Sequence, residues 1–256
     1  MKSPLHLALA QMLVEPGEVE ANLARAEARV REAAARGAQL VVLPEALDCG
    51  WAHPCARESA GAIPGGAACE RLRDAARRAG VHVCAGIVER DGERLFNSAV
   101  LFSPDGEFLL LNRKIHELDI AHEIYARGDR LGVARTALGT IGVMICADAF
   151  APGEVISRTL AQMDAAVIVS PCAWAVPADH DNAREPYGEL WRDCYGRVAR
   201  EFGVWIAGAS NVGPITAGAW AGRRCIGCSL VVGPDGEPRA TGPYGAEALV
   251  ECDVIR

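Results

Sequence analysis

The sequence predicts an α/β fold in which two similar halves pack their sheets face to face, as a four-layer α-β-β-α sandwich. Short apolar runs typical of buried strands alternate with amphipathic helices in both halves, and each half ends in hairpins. The pentapeptide SPDGE at residues 103–107 returns as GPDGE at residues 233–237, each time after an apolar run. This repeat favours two equivalent halves, although two matching pentapeptides are also expected of independent hairpin tips.

The individual elements follow from hydrophobic periodicity and from the glycines that end helices. In the first helix, Val19, Leu23, Ala26 and Val30 share one face, and Gly37 follows its C-terminal end. The predicted strands span residues 5–11, 40–43, 81–88, 95–102, 141–146, 166–169 and 204–207. The predicted helices span residues 18–36, 67–79, 153–163 and 186–202.

Length and charge restrict the class of protein. The chain has 256 residues, half of them hydrophobic, and no Pro/Ser-rich linker divides it, so we expect one domain over residues 1–256. A net charge of -7 argues against a nucleic-acid partner, because a phosphate backbone calls for a basic stripe. The apolar segment 5–10 contains His6 and lacks a convincing cleavage site, and no run approaches the roughly 20 apolar residues of a membrane span. We therefore expect a cytoplasmic protein without membrane partners.

Ten cysteines would suffice for disulfides, but most lie in apolar, strand-like runs of a chain without an export signal. Reduced thiols that act as small core hydrophobes are the better interpretation for most of them. Cys225 and Cys228 have CxxC spacing, yet neither a second CxxC nor a His pair at zinc-finger spacing accompanies them. We expect no metal.

Only two of the 26 cationic residues are lysines, Lys2 and Lys114. In a chain so biased towards arginine, a retained lysine indicates a site that needs a compact ammonium group and not a planar guanidinium. Glu45 and Cys146 stand out in a similar way, since each ends a short apolar run that is typical of a buried strand. Strand ends of α/β folds converge on pockets, so these three residues are a candidate base, cation and nucleophile. Taken singly, Glu45 is also compatible with a surface acid and Cys146 with a core thiol.

With Glu45 after VVLP, Lys114 in NRKIH and Cys146 in GVMICAD, the sequence resembles the carbon-nitrogen hydrolase (nitrilase/amidase) superfamily, whose members carry Glu, Lys and Cys in this order. The resemblance covers nearly the whole chain. It implies the nitrilase-like four-layer sandwich, hydrolysis of amides or nitriles, no cofactor, and a homodimer or higher homo-oligomer formed through sheet-flanking helices.

The chemistry of each residue type gives it a role in amide hydrolysis. Cys146 is the expected nucleophile, and Glu45 the base that takes its proton and later the acid that protonates departing ammonia. Lys114 is the expected cation for the tetrahedral oxyanion, with the backbone N–H of Ala147 as a second donor. The resemblance adds Glu123 as a supporting carboxylate, although an exposed loop position suits it equally. Trp51 and Trp174 are candidates for the substrate wall or, equally, for the core.

The predicted reaction is thiol-dependent hydrolysis of a non-peptide C–N bond in a small amide, through a Cys146 thioester, releasing ammonia and a carboxylic acid. Nitrilase activity is the nearest alternative, because both reactions pass through the same acyl-enzyme. An N-carbamoyl hydrolase is less expected, because the Arg that such members carry just after the cysteine is missing and Ala147 follows instead. An acyltransferase and a non-catalytic binding protein on the same fold are further alternatives.

Overall fold

Two six-stranded sheets face each other in the computed structural model of the chain, which describes residues 4–255. The strands are β1 (Leu5–Gln11), β2 (Leu40–Val42), β3 (His82–Asp91), β4 (Arg94–Phe102), β5 (Phe108–Arg113), β6 (Val133–Thr136), β7 (Gly139–Val143), β8 (Val167–Cys172), β9 (Ala175–Val176), β10 (Trp205–Ser210), β11 (Val212–Pro214), β12 (Arg224–Ile226), β13 (Leu230–Val232), β14 (Pro238–Thr241) and β15 (Ala248–Val254). The α-helices are α1 (Val19–Ala35), α2 (Ala56–Ser59), α3 (Ala67–Ala79), α4 (Val155–Gln162) and α5 (Glu189–Phe202). Short 3₁₀ helices cover Asp119–Glu123, Cys146–Phe150 and Pro152–Glu154.

The two sheets have the same topology. The first has the order β15-β1-β2-β3-β4-β5 and the second β14-β13-β10-β8-β7-β6. Each sheet contains three parallel strands connected through helices, which are β1, β2 and β3 in the first sheet and β7, β8 and β10 in the second. Two antiparallel strands follow the third parallel strand at one side. At the other side, one antiparallel strand pairs with the first parallel strand. The prediction of two similar α-β halves is confirmed.

The repeated pentapeptides occupy equivalent hairpins, one between β4 and β5 and the other between β13 and β14. In both, the N–H of the first residue donates to the carbonyl of the fifth at 2.9 Å. The N–H of the fourth residue, a glycine with positive φ, donates to the carbonyl of the first, at 3.0 and 2.8 Å. The sequence repeat thus encodes the same turn twice.

Alternation along β1 shows how the layers form. Leu5, Leu7 and Leu9 belong to the core between the two sheets, whereas Ala8 and Ala10 pack with the buried faces of α1 and α3. The second sheet packs on its other face against α4 and α5, within the same core as the sheet interface. The order of layers is therefore helix, sheet, sheet, helix, as predicted.

The predicted boundaries differ from the structure mainly around the second half. The strand expected to run to Cys146 ends at Val143, and Cys146 lies in a 3₁₀ helix after a tight turn. The small third sheet, with the order β11-β12-β9, was not predicted, because strands of two or three residues are too short to show a period of two. Its strands adjoin the loops that close the site described below.

All ten cysteines are free thiols, as expected, and seven of them are buried. Between residues 4 and 255, no helix has the length and apolar composition that crossing a membrane requires.

Candidate active site

Glu45 lies at a point of contact between the two sheets. It follows β2 after Leu43 and Pro44, and its N–H donates to the carbonyl of Cys172 in the second sheet at 3.2 Å. A Cβ atom on Gly86 of β3 would lie 2.6 Å from Glu45 Cα, so only glycine permits this approach. The glutamate side chain is 1% exposed and is held from two sides. Its Oε1 accepts hydrogen bonds from Asn97 Nδ2 and Lys114 Nζ, both at 2.6 Å.

Lys114 is the first residue after β5, and β4 holds it beside Glu45. The Lys114 N–H donates to the backbone carbonyl of Asn97 at 2.8 Å, while the side chain of the same asparagine binds Glu45. Gly128 donates to the Lys114 carbonyl at 2.8 Å, and a Cβ atom there would collide with the backbone of Arg113. One asparagine therefore sets the positions of both ionisable groups.

Cys146 is the first residue of the 3₁₀ helix that follows β7, and its backbone is strained. Its φ of 45° lies in the left-handed region that non-glycine residues rarely adopt, and such strain concentrates at functional sites. The Cys146 N–H donates to Ser170 Oγ at 3.0 Å, and the side chain is 8% exposed. The turn presents the thiol to a cavity.

Asp148 connects the cysteine turn to the lysine segment. Its buried carboxylate accepts N–H bonds from Ile145 at 2.9 Å, from Ile115 at 3.1 Å and from His116 at 2.8 Å. Burial raises the pKa of Asp148, and these backbone donors oppose that rise. Asp148 therefore fixes the positions of the segments that carry Lys114 and Cys146 relative to each other.

A second buried carboxylate, Glu117, lies beside the ammonium group. Its Oε2 forms an ion pair with Lys114 Nζ at 3.3 Å, and its Oε1 has no hydrogen-bond donor within residues 4–255. Burial raises the pKa of Glu117, and the charge of Lys114 opposes this. For Lys114, burial favours the neutral amine, but the nearby Glu117 and Glu45 outweigh burial and raise its pKa well above the usual value. The ammonium is therefore charged throughout the physiological range.

The thiol of Cys146 is held in its protonated form. Burial is the main cause that raises its pKa well above the usual value, and Cys172 and Glu45 add to the rise, while Lys114 opposes it. A thiol in this state needs a base to take its proton when it attacks.

Glu45, Lys114 and Cys146 line one cavity of about 280 Å³. The rest of its wall is almost entirely apolar and aromatic. It consists of Trp51, Leu118, Ala147, Phe150, Ala173, Trp174, Ala175, Tyr187, Leu190, Trp191 and Trp220. The structure thus brings the three predicted side chains together, in a pocket of the kind that binds small molecules.

Both tryptophans proposed for the substrate wall, Trp51 and Trp174, lie in this lining. The sequence reasoning missed Trp191 and Trp220. Trp191 is the third residue of α5, and Trp220 lies in a glycine-flanked turn. Neither therefore follows a strand that carries a predicted catalytic residue. The concentration of tryptophan in the second half was the available signal.

The prediction for Glu123 requires correction. Glu123 ends the 3₁₀ helix Asp119–Glu123 with an exposed side chain, and it neither contacts Lys114 nor lines the cavity. Its backbone carbonyl accepts a hydrogen bond from Arg57 at 2.8 Å. Glu117 takes the expected place, because the chain turns back directly after Lys114 and brings a residue three positions later beside the ammonium.

Ala147 lies in the lining, at the start of the 3₁₀ helix. Its N–H has no acceptor in the described part of the chain, whereas the N–H of Cys146 is used by Ser170 and that of Asp148 by the carbonyl of Ile145. Ala147 is therefore the residue of this turn whose N–H is free to bind a ligand oxygen.

The structure contains no obvious metal-binding cluster in residues 4–255, where no group of three or more His, Cys, Asp or Glu side chains is placed to hold an ion. Cys225 is buried in β12, and Cys228 lies beyond it with a φ of 60°.

The cysteines are predicted to differ in reactivity. Its interaction with Cys49 is the main cause that lowers the pKa of half-buried Cys55, with help from His53. Limited treatment with iodoacetate at pH 7 should therefore modify Cys55 at least tenfold faster than Cys146, measured by peptide mass spectrometry. Cys55→Ser should remove the fast phase. Faster labelling of Cys146 would show instead that its thiolate is already formed.

Comparison with known proteins gives a family for this arrangement. The model of the carbon-nitrogen hydrolase family matches residues 6–255. A nitrilase of Pyrococcus abyssi is 40% identical over 176 residues, which cover 67% of this chain and 66% of that protein. The omega-amidase NIT2 of Xenopus tropicalis is 38% identical over 152 residues, or 56% of this chain and 54% of that protein. The matches thus span just under two thirds and about half of the length of these relatives.

Solved structures share the fold. An amidase from Nesterenkonia sp. superposes with a TM-score of 0.83 at 24% identity, over 99% of this chain and 91% of that chain. Saccharomyces cerevisiae Nit3, described as a member of branch 10 of the nitrilase superfamily, gives the same TM-score at 22% identity. At these identities the likeness shows the four-layer architecture.

Proposed function

The chain belongs to the carbon-nitrogen hydrolase family, and on this premise we propose that it hydrolyses small carboxamides with Cys146 as the nucleophile. The observation that carries the proposal is the contact of 2.6 Å between Lys114 and Glu45, at the wall of a cavity that Cys146 also lines. A buried base, a buried cation and a thiol in a strained turn form the set of groups that acyl transfer requires.

In the first step, Glu45 takes the thiol proton as Cys146 sulfur attacks the amide carbon. The raised pKa of the thiol makes this transfer necessary, since little thiolate exists beforehand. The carbonyl oxygen becomes an oxyanion, which accepts from the free N–H of Ala147 and from Lys114. An ammonium has three donors, and two carboxylates lie within reach of this one, so a third donor is left for the oxyanion.

In the second step, Glu45 returns the proton to the amide nitrogen, the C–N bond breaks, and ammonia leaves a Cys146 thioester. Water then attacks the thioester while Glu45 accepts its proton. The sulfur departs as the thiol after taking that proton back, and the carboxylic acid is released. Glu117 and Asp148 act as positioning residues, Glu117 on the ammonium and Asp148 on the two segments that carry the reacting groups.

Glu45→Gln tests this sequence of steps. We expect steady-state ammonia release to fall by at least 1,000-fold, because both half-reactions lose their proton acceptor. Any residual acylation should accumulate as a mass increment on the peptide that contains Cys146, since the thioester is no longer hydrolysed. Glu123→Gln is the matched control at an exposed glutamate and should keep the wild-type rate. Wild-type turnover by Glu45→Gln would exclude Glu45 as the base.

Nitrile hydrolysis is the second candidate, favoured by the relative from Pyrococcus abyssi. The same thioester forms from a nitrile after attack on the C≡N carbon, addition of water and loss of ammonia. Ammonia release from matched pairs of amides and nitriles with the same carbon chain separates the two activities: higher kcat/KM for the amide supports the amidase, and higher kcat/KM for the nitrile overturns it. Homodimer formation and a cytoplasmic location stay predictions of the family resemblance.

A further inference from the structure

The cavity wall holds most of the tryptophan in the protein. Of five tryptophans in the chain, four line this one cavity and only Trp205 lies elsewhere. Phe150 and Tyr187 join them, although aromatic residues make up only 5% of the sequence. Such a concentration around one site indicates a ligand that buries apolar surface.

The rings form two pairs. Trp174 and Trp191 are stacked with centroids 4.6 Å apart and an interplanar angle of 22°, while Trp51 and Trp220 are tilted at 4.9 Å and 58°. The indole N–H of Trp191 donates to Tyr187 Oη at 2.8 Å, so these two polar groups satisfy each other. The indole N–H groups of Trp51 and Trp174 are buried and have no acceptor within residues 4–255, so both pairs present ring surface to a ligand.

The wall has no free charge for a substrate ion. Within the described residues, Lys114 is the only cation in the lining, and it is already matched by Glu45 and Glu117. A substrate carboxylate would be desolvated beside these acids without a cation of its own, and an unpaired buried charge is strongly unfavourable. A substrate cation could lie against the ring faces. Glu45 already accepts hydrogen bonds from Lys114 and Asn97, so it is not available to neutralise that cation.

The size of the site limits the substrate. A volume of about 280 Å³ has room for about nine groups the size of a water molecule, at roughly 30 Å³ each. A primary amide with five to seven carbons fills this space.

We infer that the cavity selects amides whose acyl group is uncharged and apolar, with about five to seven carbons. This inference rests on the proposed amide hydrolysis and adds the substrate class. The lining determines this preference because its rings can pack against an apolar acyl group, whereas it has no free group that could neutralise an added charge on the substrate.

Two isosteric pairs of substrates test the inference with the wild-type protein. The pair 4-methylpentanamide and succinamate differs by an isopropyl group in place of a carboxylate. The pair 3,3-dimethylbutanamide and betaine amide differs by a quaternary carbon in place of a quaternary nitrogen. We expect kcat/KM for ammonia release to be at least 30-fold higher for the neutral member of both pairs. A smaller ratio in either pair overturns the inference, and a preference for betaine amide would identify the ring pairs as a cation cage.

Binding to Cys146→Ala separates the inference from the proposed function. If the wild-type protein releases no ammonia from any of the four compounds, amide hydrolysis has failed as the function. The inference is then decided by calorimetric Kd values for Cys146→Ala alone. Neutral members that bind at least 30-fold more tightly support it, and smaller differences overturn it. Hydrolysis of succinamate with the higher kcat/KM would leave the proposed function standing and overturn the inference.

A variant at the mouth of the cavity tests whether the missing cation causes the preference for neutral substrates. Leu190 lines the cavity and is 51% exposed, so a longer polar side chain can be accommodated there. Leu190→Arg should raise kcat/KM for succinamate relative to 4-methylpentanamide at least tenfold, because it supplies the missing cation. Leu190→Gln is the control without charge and should leave the ratio within threefold of wild type. Equal ratios in the two variants would overturn the inference.

Discussion

Cys146→Ala is expected to abolish turnover while leaving the fold intact. Loss of a nucleophile that acts together with its base typically costs about 10⁴-fold or more in kcat. Alanine tolerates the positive φ at this position no worse than cysteine, and the side chain that is lost is small, so we expect Tm to change by no more than about 3 °C. Ammonia release and thermal melts measure the two effects.

Cys225→Ala is the matched control for this variant. Cys225 is buried as Cys146 is, and it lies in β12 without lining the cavity. We expect its turnover to stay within threefold of the wild-type value. Substantial hydrolysis by well-folded Cys146→Ala would reject the thioester mechanism, whereas loss of activity in both variants would show that the assay reports on packing and not on the nucleophile.

The sequence could predict which side chains converge because the fold class determines where strands end. Glu45 and Cys146 follow the apolar strands β2 and β7, which belong to the two facing sheets. Lys114 was detectable through a chemical signal, the near absence of other lysines. Periodicity also predicted the alternation of strands and helices, since each buried face repeats along several turns or residue pairs.

The parts of the site that were missed depend on non-periodic segments. Glu117 lies in an irregular turn, where burial follows from tertiary packing and leaves no repeating pattern in the sequence. Trp220 reaches the cavity through a turn beyond β11, and it meets Trp51 from a segment about 170 positions earlier in the chain. Cys146 itself lies past the end of its strand, because the turn that exposes the thiol requires a left-handed backbone that sequence periodicity cannot report.

Lys114→Arg is expected to lower kcat by at least 100-fold, or about 3 kcal/mol in transition-state stabilisation. The ammonium is 1% exposed and lies 2.6 Å from Glu45 and 3.3 Å from Glu117. A planar guanidinium is larger, and its donors point in fixed directions, so it can satisfy the two carboxylates only by displacing the third donor from the oxyanion position. Turnover numbers measured beside thermal melts separate this effect from overpacking of the core.

The neighbouring Arg113 shows why the two cations are not interchangeable. Its Nε donates to Glu89 Oε2 at 2.9 Å, its Nη2 to Asp91 at 2.9 Å, and its guanidinium lies 3.9 Å from the centre of the Phe96 ring. These contacts use a flat, forked group, so Arg113→Lys would itself destabilise the protein and cannot serve as the control.

Arg130→Lys is the suitable control, because Arg130 is 88% exposed and pairs only loosely with Asp129 at 3.6 Å. We expect it to keep wild-type turnover and Tm. Suppose that Lys114→Arg is folded and that its kcat, like that expected of Arg130→Lys, falls by less than threefold. The cavity would then require only a positive charge at this position. The oxyanion role that depends on the geometry of an ammonium group would then be rejected, and the retention of lysine in an arginine-rich chain would have no catalytic cause.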